Sequence, residues 1–221
     1  MKSLDLSSQR LTTLDGIDLT GVTRLYCYFN QLTSLPHLPE TLEILSCGSN
    51  QLTSLPPIPK RLKCLFCDNN QLTSLPSLPE SLEKLDCEVN RLISLPHLPK
   101  TLERLDCSIN QLTSLPPLPE TLVILYCNSN RLTSLPPLPE TLKELFCQFN
   151  ELASLPDLPW DLRTMEKEKL DQHNKKRIDL QMETVETFPD KGTWDEINER
   201  HINWQYRIGG EKYNESVDKL K

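Results

Sequence analysis

Apolar residues recur along most of the chain with a period of 20 residues. Each period holds a short stretch in which leucine or cysteine alternates with variable residues, followed by a segment with two prolines. Alternation at every second position predicts a short β-strand. The proline segment cannot be helical, because proline fixes φ and lacks a backbone N–H donor. A strict period of this length predicts a solenoid in which each coil stacks on the next.

The side chains of one coil divide into two sets. Successive strand side chains point to opposite faces, so Leu45 and Cys47 are predicted to point inwards. Ser46 and Gly48 should then point outwards on a concave face. Asparagine recurs every 20 residues from Asn30 to Asn150. We expect this asparagine column inside the turns, where it would hydrogen-bond to backbone groups that would otherwise be buried without partners.

The repeated unit reads L-x-x-L-x-C-x-x-N-x-L, as at Leu102, Leu105, Cys107, Asn110 and Leu112. It resembles the leucine-rich-repeat signature. The L-P-x-L-P ending and the length of 20 residues are similar to the short bacterial repeats of YopM- and IpaH-type effectors. Cysteine replaces the aliphatic residue usual in those effectors, and such cysteine-bearing arrays also resemble those encoded by giant viruses of amoebae.

The resemblance implies a leucine-rich-repeat solenoid with a curved parallel β-sheet on the concave face and an extended, polyproline-like convex face. We predict about eight coils over residues 1–165. Residues 166–221 are predicted to form either an α-helical cap over the last coil or a small recruiting module. Thr193 and Glu196 resemble a helix capping box. One helical face is indicated by apolar and aromatic residues at spacings of three and four: Trp194, Ile197, His201, Trp204 and Ile208.

Composition restricts the possible functions. The net charge of −7 lacks the positive excess that contacts with phosphate require, so we expect no nucleic-acid partner. No apolar run has the length of a signal-peptide core or a membrane span, so we expect no membrane association. These features predict a cytoplasmic protein, including the cytosol of a host cell as a possible setting.

The eight cysteines allow three interpretations: disulfides, metal ligands or buried free thiols. Cys64 and Cys67 form a C-x-x-C motif that can indicate zinc, but residues three apart on a strand face opposite sides. A tetrahedral zinc site also needs four converging ligands. We therefore expect free thiols that act as small buried apolar groups, a reducing compartment, and neither metal nor cofactor.

A column of charged residues follows the second proline of each coil. Its signs alternate over the first five members: Glu40, Lys60, Glu80, Lys100 and Glu120, with Glu140 after them. Because stacked coils lie about 5 Å apart, neighbouring members are predicted to form ion pairs. Exposed pairs of this kind contribute only about 0–1 kcal/mol each.

The outward strand positions carry the variable residues, and every tyrosine and phenylalanine of residues 1–165 falls on them. Exposed aromatic residues are enriched at binding hot spots, so this strip is the predicted partner site. Its aromatic residues lie towards both ends and its acidic residues in the middle. The predicted partner-binding residues are Tyr26, Tyr28, Phe29, Phe66, Asp68, Lys84, Asp86, Glu88, Arg104, Asp106, Tyr126, Phe146 and Phe149.

The sequence predicts a non-catalytic protein that binds a protein partner through the concave sheet face. A partner with a basic patch flanked by apolar anchors would complement this face. The acidic residues are expected to be spread along the face rather than gathered in a cleft, so no enzyme is predicted. The open N-terminal sheet edge predicts weak self-association.

The alternative is a substrate-recognition adaptor for a separate ubiquitin ligase, with the tail recruiting that ligase. The IpaH effectors, which this chain resembles, carry a catalytic cysteine in a helical domain after their repeats. Residues 166–221 contain no cysteine. The resemblance therefore implies recognition without the ligase reaction itself.

Overall fold

A computed structural model describes residues 2–153 and residue 156. These residues form one parallel sheet of eight strands in sequence order. The strands are β1 (Lys2–Asp5), β2 (Val22–Tyr26), β3 (Ile44–Ser46), β4 (Cys64–Phe66), β5 (Lys84–Asp86), β6 (Arg104–Asp106), β7 (Ile124–Tyr126) and β8 (Glu144–Phe146). The predicted helical cap over residues 166–221 lies outside the described residues.

The strands from β2 to β8 pair in strict register at a 20-residue offset, as in Leu45 with Leu65 and Leu85 with Leu105. Seven connections join the eight strands and make about seven turns of a parallel solenoid. The part of the eighth predicted coil that follows residue 153 lies outside the described residues, apart from residue 156. The described connections contain no helix, as the prolines predicted, and none of the described residues belongs to a helix able to cross a membrane.

The core is built from columns of leucine and one column of cysteine. The central strand leucines from Leu25 to Leu125 are almost fully buried, as are the cysteines from Cys27 to Cys127. All eight cysteines are free, and only Cys64 and Cys147 are half-buried. Burial raises the pKa of the column thiols, to about 12 for Cys27 and about 11 for Cys147. The thiols therefore serve as apolar packing groups.

The asparagine column binds the turns as predicted. The side-chain amide of Asn90 donates to the carbonyls of Cys67, Cys87 and Glu88 at 3.0, 3.1 and 3.2 Å. Its oxygen accepts from the Leu72 N–H at 3.0 Å. The other asparagines of the column repeat this pattern, and no buried side-chain polar atom lacks a partner within the described residues. Each asparagine thereby joins its own coil to the preceding one.

The predicted ion pairs of the charged column are wrong. Within residues 2–153 the salt bridge that forms is Lys63–Glu83, at 3.5 Å, which lies outside this column. The column contributes backbone carbonyls instead. The hydroxyl of Thr121 donates to the carbonyls of Lys100 and Leu102 at 2.8 and 2.9 Å, and Ser81, Thr101 and Thr141 repeat the arrangement. These hydroxyls therefore add to the links between neighbouring coils that the core and the asparagine column make.

Candidate protein-binding face

The outward positions of the strands form a continuous face, which we call the concave strip. It comprises the last residue of each strand from β2 to β8 and the residue two places further on, from Tyr26 and Tyr28 to Phe146 and Gln148. Every tyrosine and phenylalanine of the described residues is exposed or half-buried, and the core holds only aliphatic residues and cysteine. Among the residues that the structure describes, the fold therefore places every tyrosine and phenylalanine at or near the surface.

The aromatic residues form two groups. Directly after β2, the Tyr28 and Phe29 rings meet edge to face with centroids 5.6 Å apart. At the other end, Tyr126 and Phe146 do the same at 4.9 Å, and the guanidinium of Arg104 lies 4.9 Å from the Tyr126 ring centroid. Tyr26 and Phe66 lie on the strip with half-buried side chains. Because β2 and β7 are five coils apart, the two groups are separate anchors.

Glu144 completes the second group, although the sequence analysis did not select it. The Tyr126 hydroxyl donates to the Glu144 carboxylate at 2.5 Å. Burial and this carboxylate raise the pKa of Tyr126. Glu144 begins β8 and pairs in register with Ile124, so its position beside the tyrosine follows from the repeat. The Tyr126 side chain therefore contacts a ring, a guanidinium and a carboxylate, each from a different coil or strand position.

The acidic middle of the strip is more compact than predicted. Carboxylate oxygens of Asp86, Glu88 and Asp106 lie within 4.8 Å of one another, and we call these three residues the acidic cluster. The expectation that acidic residues spread along the face is wrong here. Asp86 and Asp106 are register partners on adjacent strands, and neighbouring strands lie only about 5 Å apart. A carboxylate set this close could accept a cationic group.

The acidic cluster is partly withdrawn from water. Asp106 is only 8% exposed, and its carboxylate accepts from the Ser108 N–H at 3.2 Å. Burial, followed by the charges of Asp106 and Asp68, raises the pKa of Asp86 to about 7. Burial also raises the pKa of Asp106, against hydrogen bonds from Ser108 and the charge of Arg104. Burial therefore disfavours the ionised forms of Asp86 and Asp106, and a positive group placed beside them would favour those forms.

The remaining predicted residues lie where the repeat put them. Lys84 is exposed on β5 and pairs in register with Cys64 on β4. Cys64 is half-buried, and burial raises the pKa of its thiol although Lys84 opposes the shift. Cys67 points into the core, so the C-x-x-C pair faces two sides, as the sequence predicted. Asp68 covers the buried Gly48 of the preceding coil.

Comparisons with known proteins agree with this geometry. Residues 40–80 match the model of leucine-rich repeats, two copies. YopM from Yersinia pestis, a leucine-rich effector protein, aligns with a TM-score of 0.69 and 36% identity over 72% of this chain and 46% of that chain. YopM from Yersinia enterocolitica WA-314 aligns with a TM-score of 0.51 and 35% identity over 64% of this chain and 40% of that chain. The chain thus spans less than half of each YopM structure.

A Shigella effector leucine-rich-repeat domain aligns with a TM-score of 0.60 and 30% identity, over 78% of this chain and 76% of that chain. No curated protein matches the chain at a significant level. The fold is that of a stacked, parallel-strand repeat protein. The chain belongs to the leucine-rich-repeat family, and its repeats are of the YopM and IpaH type. The resemblance to arrays of giant viruses stays a prediction.

Proposed function

We propose that the chain is a non-catalytic interaction protein that captures a protein partner on the concave strip. The observation that carries this proposal is the distribution of aromatic residues: all of those described are exposed or half-buried, and the described core holds only aliphatic residues and cysteine. Large aromatic side chains at a surface lose favourable burial, and they are typical of interface hot spots. The family resemblance to leucine-rich effectors supports a binding role.

The chemistry of the strip indicates the kind of partner. Tyr126 with Phe146 at one end, and Tyr28 with Phe29 at the other, would contact apolar anchors. The acidic cluster between these groups would contact lysine or arginine side chains. The net charge of −7 would speed the approach of a basic partner at low ionic strength. We therefore propose a protein with a basic patch between apolar anchors, bound in a cytosol where the thiols stay reduced.

The test is a variant in which Phe66, Asp86, Asp106 and Tyr126 are replaced together by serine. Affinity capture from lysate, quantified by mass spectrometry, should show that partners retained by the natural protein are lost from this variant. A matched variant changes to serine four exposed residues outside the concave strip: Pro57, Thr73, Pro117 and Thr133. Capture that the concave variant leaves intact contradicts the proposal, provided that thermal unfolding shows both variants to be folded.

The ligase-adaptor function is a second candidate, and the similarity to a Shigella effector repeat domain favours it. In this role the concave strip would select the substrate and residues 166–221 would recruit the ligase. Capture with and without residues 166–221 distinguishes the two functions. Ligase components that disappear with the tail, while the other partners stay, support the adaptor; unchanged recovery excludes it.

Self-association through β1 is a further proposal about partners. The outer edge of β1 has no strand beside it in the described sheet, and three of its four residues are exposed. An open edge can pair with another chain. Sedimentation over a range of concentrations should show a weak dimer, and replacement of Ser3 by proline should abolish it. A strict monomer at the highest concentration contradicts this proposal.

A further inference from the structure

The residue that follows the concave strip in each coil has an unusual backbone conformation. From the second strand onwards, all seven such residues have positive φ: 52° at Phe29, 52° at Ser49, 50° at Asn69, 51° at Val89, 53° at Ile109, 56° at Ser129 and 55° at Phe149. The fold therefore requires the left-handed region once per coil. The alternation of strand residues alone predicts only an outward face at these positions.

The residue types in this column fall into two classes. Asparagine, as at Asn69, adopts the left-handed region readily. Valine and isoleucine do not, because a branched Cβ clashes with the backbone there, and Val89 and Ile109 are genuine outliers. In these two coils a branched residue adopts the left-handed conformation, whereas the neighbouring coils have a polar residue at the same position.

The same residues are also exposed. The side chains of Phe29, Ile109 and Phe149 are 63%, 44% and 59% exposed, and Val89 is partly exposed. We call Phe29, Val89, Ile109 and Phe149 the apolar ridge. Its members bear two costs, since they strain the backbone and gain little burial within the chain. Strain retained together with exposure is typical of contact sites.

The middle of the apolar ridge lies against the acidic cluster. Val89 and Ile109 are in adjacent coils, because the Asn90 N–H donates to the Ile109 carbonyl at 3.2 Å. Glu88 directly precedes Val89, and Asp86 and Asp106 lie close to Glu88. An apolar line with a row of carboxylates along one side complements a segment that has an apolar stripe with cationic groups beside it.

The spacing of the coils indicates the conformation of that segment. Stacked coils place Val89 and Ile109 about 4.8 Å apart, and one turn of an α-helix rises about 5.4 Å. A helix along the solenoid axis would thus present one side chain per coil at positions i, i+4 and i+7. An extended strand repeats each face about every 7 Å, which does not match the coil spacing.

Resting on the proposed binding function, we propose that Val89, Ile109 and the acidic cluster bind a basic amphipathic α-helix of the partner, lying along the solenoid axis. Its apolar stripe would contact the apolar ridge, and lysine or arginine side chains on one flank would contact Asp86, Glu88 and Asp106. In this binding mode an amphipathic helix packs on an apolar surface and contacts it through side chains that lie one helical turn apart.

The probe is a fluorescent synthetic helix of about 18 residues, long enough to cross about five coils. It carries leucine at i, i+4, i+7 and i+11 and lysine along one flank. Two control peptides keep its length: one has two central prolines that prevent helix formation, and the other has glutamate in place of lysine. Fluorescence anisotropy should show binding of the lysine helix and at least ~10-fold weaker binding of both controls.

The decisive variant replaces Val89 and Ile109 by asparagine, which suits the left-handed backbone at both positions. It should weaken binding of the lysine helix at least ~10-fold while the unfolding midpoint stays the same or rises. Loss of binding therefore cannot result from misfolding. The matched control is Ile93→Thr, which removes an apolar side chain that is 64% exposed outside the apolar ridge. This control should bind as the natural protein does.

Three results overturn the proposal: no binding of the lysine helix, equal binding of the proline peptide, or undiminished binding by the asparagine double variant. Equal binding of the proline peptide would assign the surface to an extended segment. These failures are distinguishable from failure of the proposed function. If the proposed function is wrong, the concave serine variant retains its captured partners. If only the helix assignment is wrong, the concave serine variant still loses those partners.

Discussion

Asp86 provides a quantitative test of the acidic cluster. Its pKa is raised from 3.8 to about 7, chiefly by burial and then by the charges of Asp106 and Asp68. Between these two pH values the folded state keeps a proton that the unfolded state has lost. Stability associated with Asp86 is therefore greatest below about pH 4 and falls as the pH rises towards 7, and the loss is complete above the folded pKa.

The magnitude follows from the size of the shift. A difference of about 3 pKa units corresponds to about 4 kcal/mol at alkaline pH, and to about 1–2 kcal/mol at about pH 5, where the unfolded carboxyl is already ionised. The substitution Asp86→Asn removes the charge with little change in shape. We expect it to stabilise the protein by at most these amounts, and by about 2–3 kcal/mol more at about pH 8.5 than at about pH 5.

Urea unfolding of both proteins at the two pH values measures this difference. Asp5→Asn is the control with a flat response: the Ser7 hydroxyl and backbone N–H hold the pKa of Asp5 below its usual value, so both pH values lie above its titration and the cost of this substitution should be the same at each. The stabilisation from Asp5 is present above its unfolded pKa and is lost as the pH falls through its folded pKa. A stability gain from Asp86→Asn that is the same at both pH values would refute the electrostatic account of the cluster.

Three further predictions concern the scaffold. Asn90→Ala should lower the free energy of unfolding in urea by about 2–4 kcal/mol, because it leaves the buried Leu72 N–H and several carbonyls without partners. The control is Asn128→Ala, which removes one acceptor from the Ser108 hydroxyl. An Asn90→Ala loss no larger than that of the control would contradict the role of Asn90 in joining the coils. A thiol reagent should modify Cys64 and Cys147 in the folded protein, and it should modify the six buried cysteines only after unfolding in urea. Rapid reaction of all eight cysteines under native conditions would exclude a packed thiol column. Gly48→Ala places a Cβ against the carboxylate of Asp68. It should lower the free energy of unfolding by less than about 1 kcal/mol, because the Asp68 side chain can turn away, and by nothing in an Asp68→Ala background. An equal loss in both backgrounds would show that the carboxylate is not the obstacle.

The scaffold was predictable because its period makes local chemistry repeat. Alternation at Leu45 and Cys47 defined the inward face, and the asparagine column had to satisfy turn backbone that the stack buries. Strict 20-residue register also implied that Asp86 and Asp106 are neighbours. Their burial was not predictable, because it depends on how the surrounding strip closes around each carboxylate.

Two features of the site escaped the sequence analysis for physical reasons. Val89 and Ile109 are residue types that favour strands, so their left-handed backbone is imposed by the turn that follows and is contrary to their own preference. From its residue type alone, Glu144 is an exposed charge, and its role depends on the hydrogen bond that the Tyr126 hydroxyl donates to it. In both cases the neighbouring coil determines the role of the residue.

The central claim, that the partner lies on the concave strip, is tested most directly by site-specific photo-crosslinking. Benzoylphenylalanine is introduced singly at Phe66 and Phe146 on the strip, and at the exposed Pro57 and Pro117 on the convex side. After capture and irradiation, we predict partner adducts from the two strip positions and none from the two convex positions. Adducts that form from Pro57 or Pro117 but not from Phe66 or Phe146 would place the partner on the opposite face and contradict the claim.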